Sequence, residues 1–207
     1  MDKVIDAVSD ALGTNTPAKT ALIILSDGAE ESEVVITADV LSRGGFKVTI
    51  AGFSGESAVK CSRGVQIKPE MSLDKAMDLA ETKPYDVVVL PGGPQGTKNL
   101  TESVAVGNLL KRQEMNNGWI AAICGGPMAL RSHSIGVGKC ITAHKSKWDE
   151  LKAGGQHKVC TARVCIDGHL ITSQGPGTAF DFGLAIVEKL IGPENIPKLQ
   201  EDLALKI

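Results

Sequence analysis

The stretch GWIAAICGGPMAL, residues 118–130, ends an apolar, β-branched run at Cys124 and continues with Gly125, Gly126 and Pro127. A cysteine on a sharp strand-to-helix turn needs small neighbours, because the backbone bends where the helix must begin at once. The first turn of such a helix presents free N–H groups and partial positive charge, which favour thiolate over thiol and can hold an oxyanion. Pro127 suits that start, having no N–H to leave unpaired. Most cysteines are small buried hydrophobes, but this placement points to a nucleophile.

A thiol nucleophile works with a proton donor or acceptor beside it. The stretch SDGAEESE, residues 26–33, supplies Glu30, Glu31 and Glu33. Acidic residues at a helix start often only complement its dipole, a reading that suits Glu30 and Glu31. Glu33 is the best candidate to face the sulfur, provided its strand neighbours that of Cys124; held there, its pKa rises and it can donate or relay a proton. Gly92 and Gly93, after DVVVL, offer backbone N–H groups for an oxyanion hole. His144, after CITA, is the third candidate, whereas His133, His157 and His169 receive no role. His157, Cys160, Cys165 and His169 lie close in sequence but contain no C-x-x-C pair. On one continuous strand, positions 160 and 165 face opposite sides, so no metal is expected.

All these positions follow apolar strand-like runs, and in open parallel sheets the sites form beyond the carboxyl ends of the strands. Strands are expected at 20–26, 46–52, 85–90, 119–123 and 140–143, with a short hairpin within 58–71. Helices are expected at 33–43, stopped by Gly44-Gly45, then at 72–82, around 102–115, after Cys124, from Thr178 to Leu190 and within 194–205. ARVCIDGHLITSQ, residues 162–174, reads as a hairpin turning at Asp167-Gly168. Residues 1–19, with Val4, Ile5, Val8 and Leu12 at helical spacing, form an N-terminal extension, and 20–207 form one domain. The alternation implies an α/β three-layer sandwich, its sheet mainly parallel and its helices on both faces.

Composition narrows the function. The chain has 207 residues, 43% hydrophobic, and a net charge of −2, with Lys and Arg dispersed. That balance argues against sequence-specific nucleic-acid binding or an anionic membrane as partner. No apolar run reaches the roughly 18 residues of a membrane span, and the N-terminus lacks a signal-peptide layout, so a cytoplasmic protein is expected, with nucleus or mitochondrion as further compartments. Five cysteines, an odd number without close pairing, read as thiols in a reducing compartment.

Taken together, ALIILSDGAEESE, VKCSRGVQI, YDVVVLPGG, AAICGGP and ITSQGPGTAFDFGLAIVEKL resemble the parkinsonism-associated DJ-1 branch of the ThiJ/PfpI superfamily, in order over residues 20–207. The resemblance implies a flavodoxin-like sandwich, a homodimer, Cys124 as oxidation-sensitive nucleophile and Glu33 as its protonated carboxyl partner. It further implies an anion site on the N–H groups of Gly93 and Gly125, His144 as nearby imidazole, Arg63 near the site and dimer interface, and Cys61 as a secondary cysteine. The implied activities are glutathione-independent glyoxalase chemistry on small dicarbonyls (methylglyoxal to lactate, glyoxal to glycolate) and deglycation of proteins or nucleotides. They need no metal or organic cofactor, and protection against oxidative and carbonyl stress accompanies them.

The chain departs from that pattern in places. Lys145-Ser146 follows His144 where proline is usual, Gln174 replaces a common arginine, and Lys68 replaces a further cysteine. A PfpI-type protease carries histidine directly after the nucleophile, where this chain has Gly125, and the late His-x-Glu of a glutamine amidotransferase is missing. The rival reading is a redox sensor or chaperone whose Cys124 is oxidised to sulfinate.

Overall fold

The computed structural model describes residues 17–205, so the expected N-terminal helix lies outside the described residues. The elements are β1 (Thr20–Leu25), α1 (Glu31–Arg43), β2 (Lys47–Gly52), β3 (Val59–Lys60), β4 (Gln66–Ile67), β5 (Met71–Ser72), α2 (Leu73–Thr82), β6 (Val87–Leu90), α3 (Pro94–Glu102) and α4 (Val104–Met115). They continue with β7 (Trp119–Ile123), α5 (Pro127–Ser132), β8 (Cys140–Ile141), α6 (Trp148–Gly154), β9 (Lys158–Val159), β10 (Val164–Asp167), β11 (Leu170–Ser173), α7 (Ala179–Leu190) and α8 (Ile196–Asp202).

Seven strands form one sheet in the order β10-β11-β7-β6-β1-β2-β5, parallel throughout except for the β10–β11 hairpin. The central strands are apolar on both sides because helices cover both faces. Leu22, Ile24, Val88, Leu90 and Ile120 pack with Ala76, Leu109, Leu110 and Leu130 from α2, α4 and α5. Ala21, Ile23, Val87, Val89 and Ile123 pack with Val34, Val40 and Leu41 of α1 and Phe182, Ile186 and Val187 of α7. This is the three-layer α/β sandwich expected from the alternation, with the flavodoxin-like form that the resemblance implies.

The helix expected around 102–115 is α4, its start capped where Ser103 turns to extended backbone and its hydroxyl accepts from Val106 N–H at 3.2 Å, and α3 directly before it is an addition to the expected elements. Three expectations need correction. The strand expected at 140–143 stays outside the main sheet. Only Cys140–Ile141 pair, in parallel with Lys158–Val159, while Thr142 N–H donates to the Thr172 hydroxyl at 2.9 Å instead of to a ladder. The hairpin loop is Gly168-His169, one residue beyond the expected turn, with Gly168 at φ 61°. Finally, Cys160 and Cys165 share no strand: β9 ends at Val159 and β10 begins at Val164, so the alternation that would oppose them does not apply. Among the described residues, no helix is long and apolar enough to cross a membrane.

Candidate active site

Register aligns the strand tips. Leu90 pairs with Ala122, and Ser173 with Ile123, so Gly92, Cys124 and Gly175 emerge together at the carboxyl edge. Cys124 sits at φ 62°, left-handed backbone that a side chain rarely adopts. Its N–H donates to Ser173 O at 2.9 Å and its carbonyl accepts from His144 N–H at 2.9 Å, so strand β11 and the β8–α6 segment clamp the strained residue.

The three acids of the β1–α1 loop have three distinct jobs. Glu30 caps α1, its carboxylate accepting from Glu33 N–H at 2.9 Å. Glu31 accepts from Arg63 N–H at 2.9 Å and from the Ser62 hydroxyl at 3.1 Å. Burial opposes its charge, but those bonds outweigh it and hold its pKa low. Glu33 is fully buried (0% exposed) and accepts from Gly92 N–H at 2.7 Å through Oε2. Its Oε1 has no hydrogen-bond partner, and the Cys124 thiol stands beside the carboxyl.

Strand β1 does not neighbour β7, as the sequence reading of Glu33 required, since β6 lies between them. Glu33 reaches the sulfur across the tip of β6, and Gly92 leaves the opening. A Cβ there would stand 2.7 Å from Cys124 Cβ and 2.8 Å from Gly125 N. Gly92 N–H is therefore spent on Glu33 and is not an oxyanion donor, a correction to its expected role.

Burial pushes the Glu33 carboxyl up to about 7, aided by the nearby charge of Glu30 and opposed by Gly92 N–H and the Cys124 thiol. Burial also pushes the Cys124 thiol up to about 12, followed by the charge of Glu33, while the N–H groups of Gly125 and Gly93 pull it down. The thiolate expected from a helix terminus thus meets a larger opposing effect, and α5, only Pro127–Ser132, is a short source of dipole. Near neutral pH the pair is built to hold one negative charge. A proton on Glu33 removes the repulsion that holds the proton on sulfur.

His144 is exposed, with Nδ1 engaged by Ser146: the backbone N–H donates to it at 3.3 Å and the hydroxyl lies at 2.9 Å. Ser146 thus orients the ring where the family pattern has proline nearby. A Cβ on Gly175 would lie 3.6 Å from His144 Cδ2 and 3.9 Å from Cys124 Sγ, so the ring and the sulfur border the same space. Arg63 is exposed, anchored only through its backbone; no hydrogen bond or ion pair ties its guanidinium to the site among the described residues. Gln174 turns its amide to Thr161 O at 2.8 Å. Cys61 is buried, its thiol pushed up to about 11 by burial, then by Glu31, Glu30 and Asp27. Sequence reasoning missed Gly175 and the anchoring role of Glu31; the GPG run after β11 was the available signal for the first.

What occupies this edge is a thiol on a strained strand-to-helix elbow, beside a buried carboxyl, in a doubly wound sandwich. The chain belongs to the DJ-1/PfpI family, whose model matches residues 19–189. It is 50% identical over 188 residues to the Parkinson disease protein 7 homolog of Danio rerio, covering 91% of this chain and 98% of that one. It is 44% identical over 188 residues to a Caenorhabditis elegans protein named glutathione-independent glyoxalase DJR-1.2, covering 90% and 97%. The crystal structure of Drosophila melanogaster DJ-1beta superposes with a TM-score of 0.87 at 45% identity, over 92% of this chain and 100% of that one.

Proposed function

We propose that this chain is a glutathione-independent glyoxalase that converts methylglyoxal to lactate and glyoxal to glycolate, with Cys124 as nucleophile. The reading rests on the buried Glu33 carboxyl beside the Cys124 thiol, its pKa raised to about 7 where a proton can be given and taken back near neutrality. Sulfur adds to the aldehyde carbon and Glu33 protonates the oxygen, giving a hemithioacetal. Removal of the proton on that carbon by Glu33 or His144 gives an enediol, and its return to the neighbouring carbon leaves a thioester. Water then releases the hydroxy acid and restores the thiol. One carbon is oxidised and its neighbour reduced, so no external electron carrier takes part. The N–H groups of Gly93 and Gly125 hold the negative oxygen, and the exposed Arg63 adds positive charge at the rim. The relative named as a glyoxalase supports the assignment.

Lactate formation from methylglyoxal without glutathione tests it. Cys124→Ser should abolish turnover and Glu33→Gln should lower it by roughly 10²–10⁴; unchanged turnover in either variant at matched folding defeats the mechanism. A second reading, a redox sensor that stores Cys124 as sulfinate, is favoured by the same N–H groups aimed at the sulfur. Mass spectrometry after peroxide, alongside absent lactate, would select it. The proposal extends to deglycation of proteins and nucleotides, and to a homodimer closing over α1 and the adjoining 61–65 loop, where Val35 and Val65 are 52% and 50% exposed. Sedimentation tests the dimer.

A further inference from the structure

Three of the five cysteines stand apart from Cys124 and Glu33. Cys140 opens β8, Cys160 follows β9 and Cys165 lies in β10, and their three sulfurs fall within 4.8 Å of one another. The backbone holds the three segments together. Strands β8 and β9 pair in parallel, Cys160 N–H donates to Ile141 O at 2.9 Å, and Cys140 N–H donates to the Asp167 carboxylate at 2.9 Å. The Cys165 thiol donates to Cys140 O at 3.3 Å. All five cysteines are free thiols. The sequence reading expected no metal because it placed two of these residues on opposite sides of one strand and did not include Cys140.

Thiols gathered this closely resist ionisation. Burial and then the neighbouring Cys160 and Cys140 push Cys165 far up, and burial together with Cys160 raises Cys140. A cation between the sulfurs reverses that balance by stabilising the thiolates. Among the described residues no fourth cysteine, histidine or carboxylate joins the group within the same distance. Asp167 is engaged elsewhere, accepting Cys140 N–H through one oxygen and pairing with Lys139 at 3.2 Å through the other. Structural zinc takes four protein donors, whereas copper(I), soft and free of any need for a fourth ligand, is satisfied by three thiolates in a plane. At a metal–sulfur distance of about 2.3 Å, a trigonal ion holds its sulfurs about 4 Å apart. Small side-chain rotations suffice to reach that from the spacing present.

We propose that Cys140, Cys160 and Cys165 form a copper(I) site of three-sulfur coordination, separate from Cys124. The ion bonds to three sulfurs, their protons leave to solvent, and no electron is transferred. The inference does not depend on the glyoxalase reading.

The test uses the full chain carrying Cys61→Ser and Cys124→Ser, so that only these three thiols remain, titrated without oxygen with copper(I) supplied as its bicinchoninate complex. One equivalent should be withdrawn from the chelator, and X-ray absorption should report three sulfurs and no lighter donor. Adding Cys160→Ser should weaken uptake by more than the roughly 100-fold that loss of an outer-sphere partner can cost. A two-sulfur shell, uptake undiminished by Cys160→Ser, or no uptake by three titratable thiols overturns the proposal. So does tighter binding of zinc(II) than of copper(I) in parallel titrations. The absorption measurement needs no change within the cluster, so it decides the question even where Cys160→Ser fails to fold.

Discussion

Glu33 is the residue on which chemistry and stability pull against each other. Its carboxyl is raised from 4.5 to about 7 by burial, so the folded protein binds a proton there that the unfolded chain has released. The stability linked to that proton is fully present below about pH 4.5 and is lost as pH rises through about 7. The difference amounts to about 3 kcal/mol once Glu33 is ionised. Glutamine keeps the shape and can still accept Gly92 N–H, but cannot ionise. Glu33→Gln should therefore flatten the pH dependence of the melting temperature between about pH 5 and 8 and raise it at the alkaline end, while turnover falls. Melting curves across that range check this; parallel pH profiles for wild type and variant would show that Glu33 does not titrate as assigned. Gly92 belongs to the same argument. A methyl group there meets Cys124 Cβ at 2.7 Å, so Gly92→Ala should cost roughly 1–3 kcal/mol and, by shifting the sulfur, lower kcat/KM about 10²-fold. Denaturation and steady-state kinetics on one preparation measure both.

The element that matters most is the β7–α5 elbow, which was legible in the sequence because Cys-Gly-Gly-Pro after five apolar residues has few other uses. The partner of Cys124 was legible as a residue but not as geometry. Residue types identified Glu33, yet only the strand order reveals that it works across β6, with Gly92 as the gap. Short edge elements were least readable. Strands β8 and β9 are two residues each, the β8 segment donating its Cys140 and Thr142 N–H groups to the Asp167 and Thr172 side chains, and no periodicity survives over that length. The same brevity concealed the meeting of Cys140, Cys160 and Cys165. The elbow's strain is itself measurable. Cys124 at φ 62° occupies a conformation that glycine adopts freely. Of two variants that both lack the sulfur, Cys124→Gly should exceed Cys124→Ala in stability by about 1 kcal/mol. Equal or reversed stabilities would mean that packing of the methyl group outweighs the strain.

At the scale of the whole molecule, the two apolar layers share one sheet. Ala21, Ile23 and Val87 face one layer while Leu22, Ile24 and Val88, adjacent in the same strands, face the other. Neither layer can lose its strands without stripping its counterpart of half its surface, so the two should melt as one. The chain carries two tryptophans, which divide between the layers: Trp148 packs against the first and Trp119 against the second. Single-tryptophan variants, Trp119→Phe and Trp148→Phe, therefore give each layer its own fluorescent reporter. Allowing for the small change in stability that each substitution brings, every variant's fluorescence transition in guanidinium should coincide with its own circular dichroism transition. A Trp148 signal that moves before the backbone signal would assign the α6 region to a separate, weaker unit. In that case the clamp from His144 N–H to Cys124 O would open before the sheet does, and the site would lose its geometry at denaturant concentrations where the fold persists.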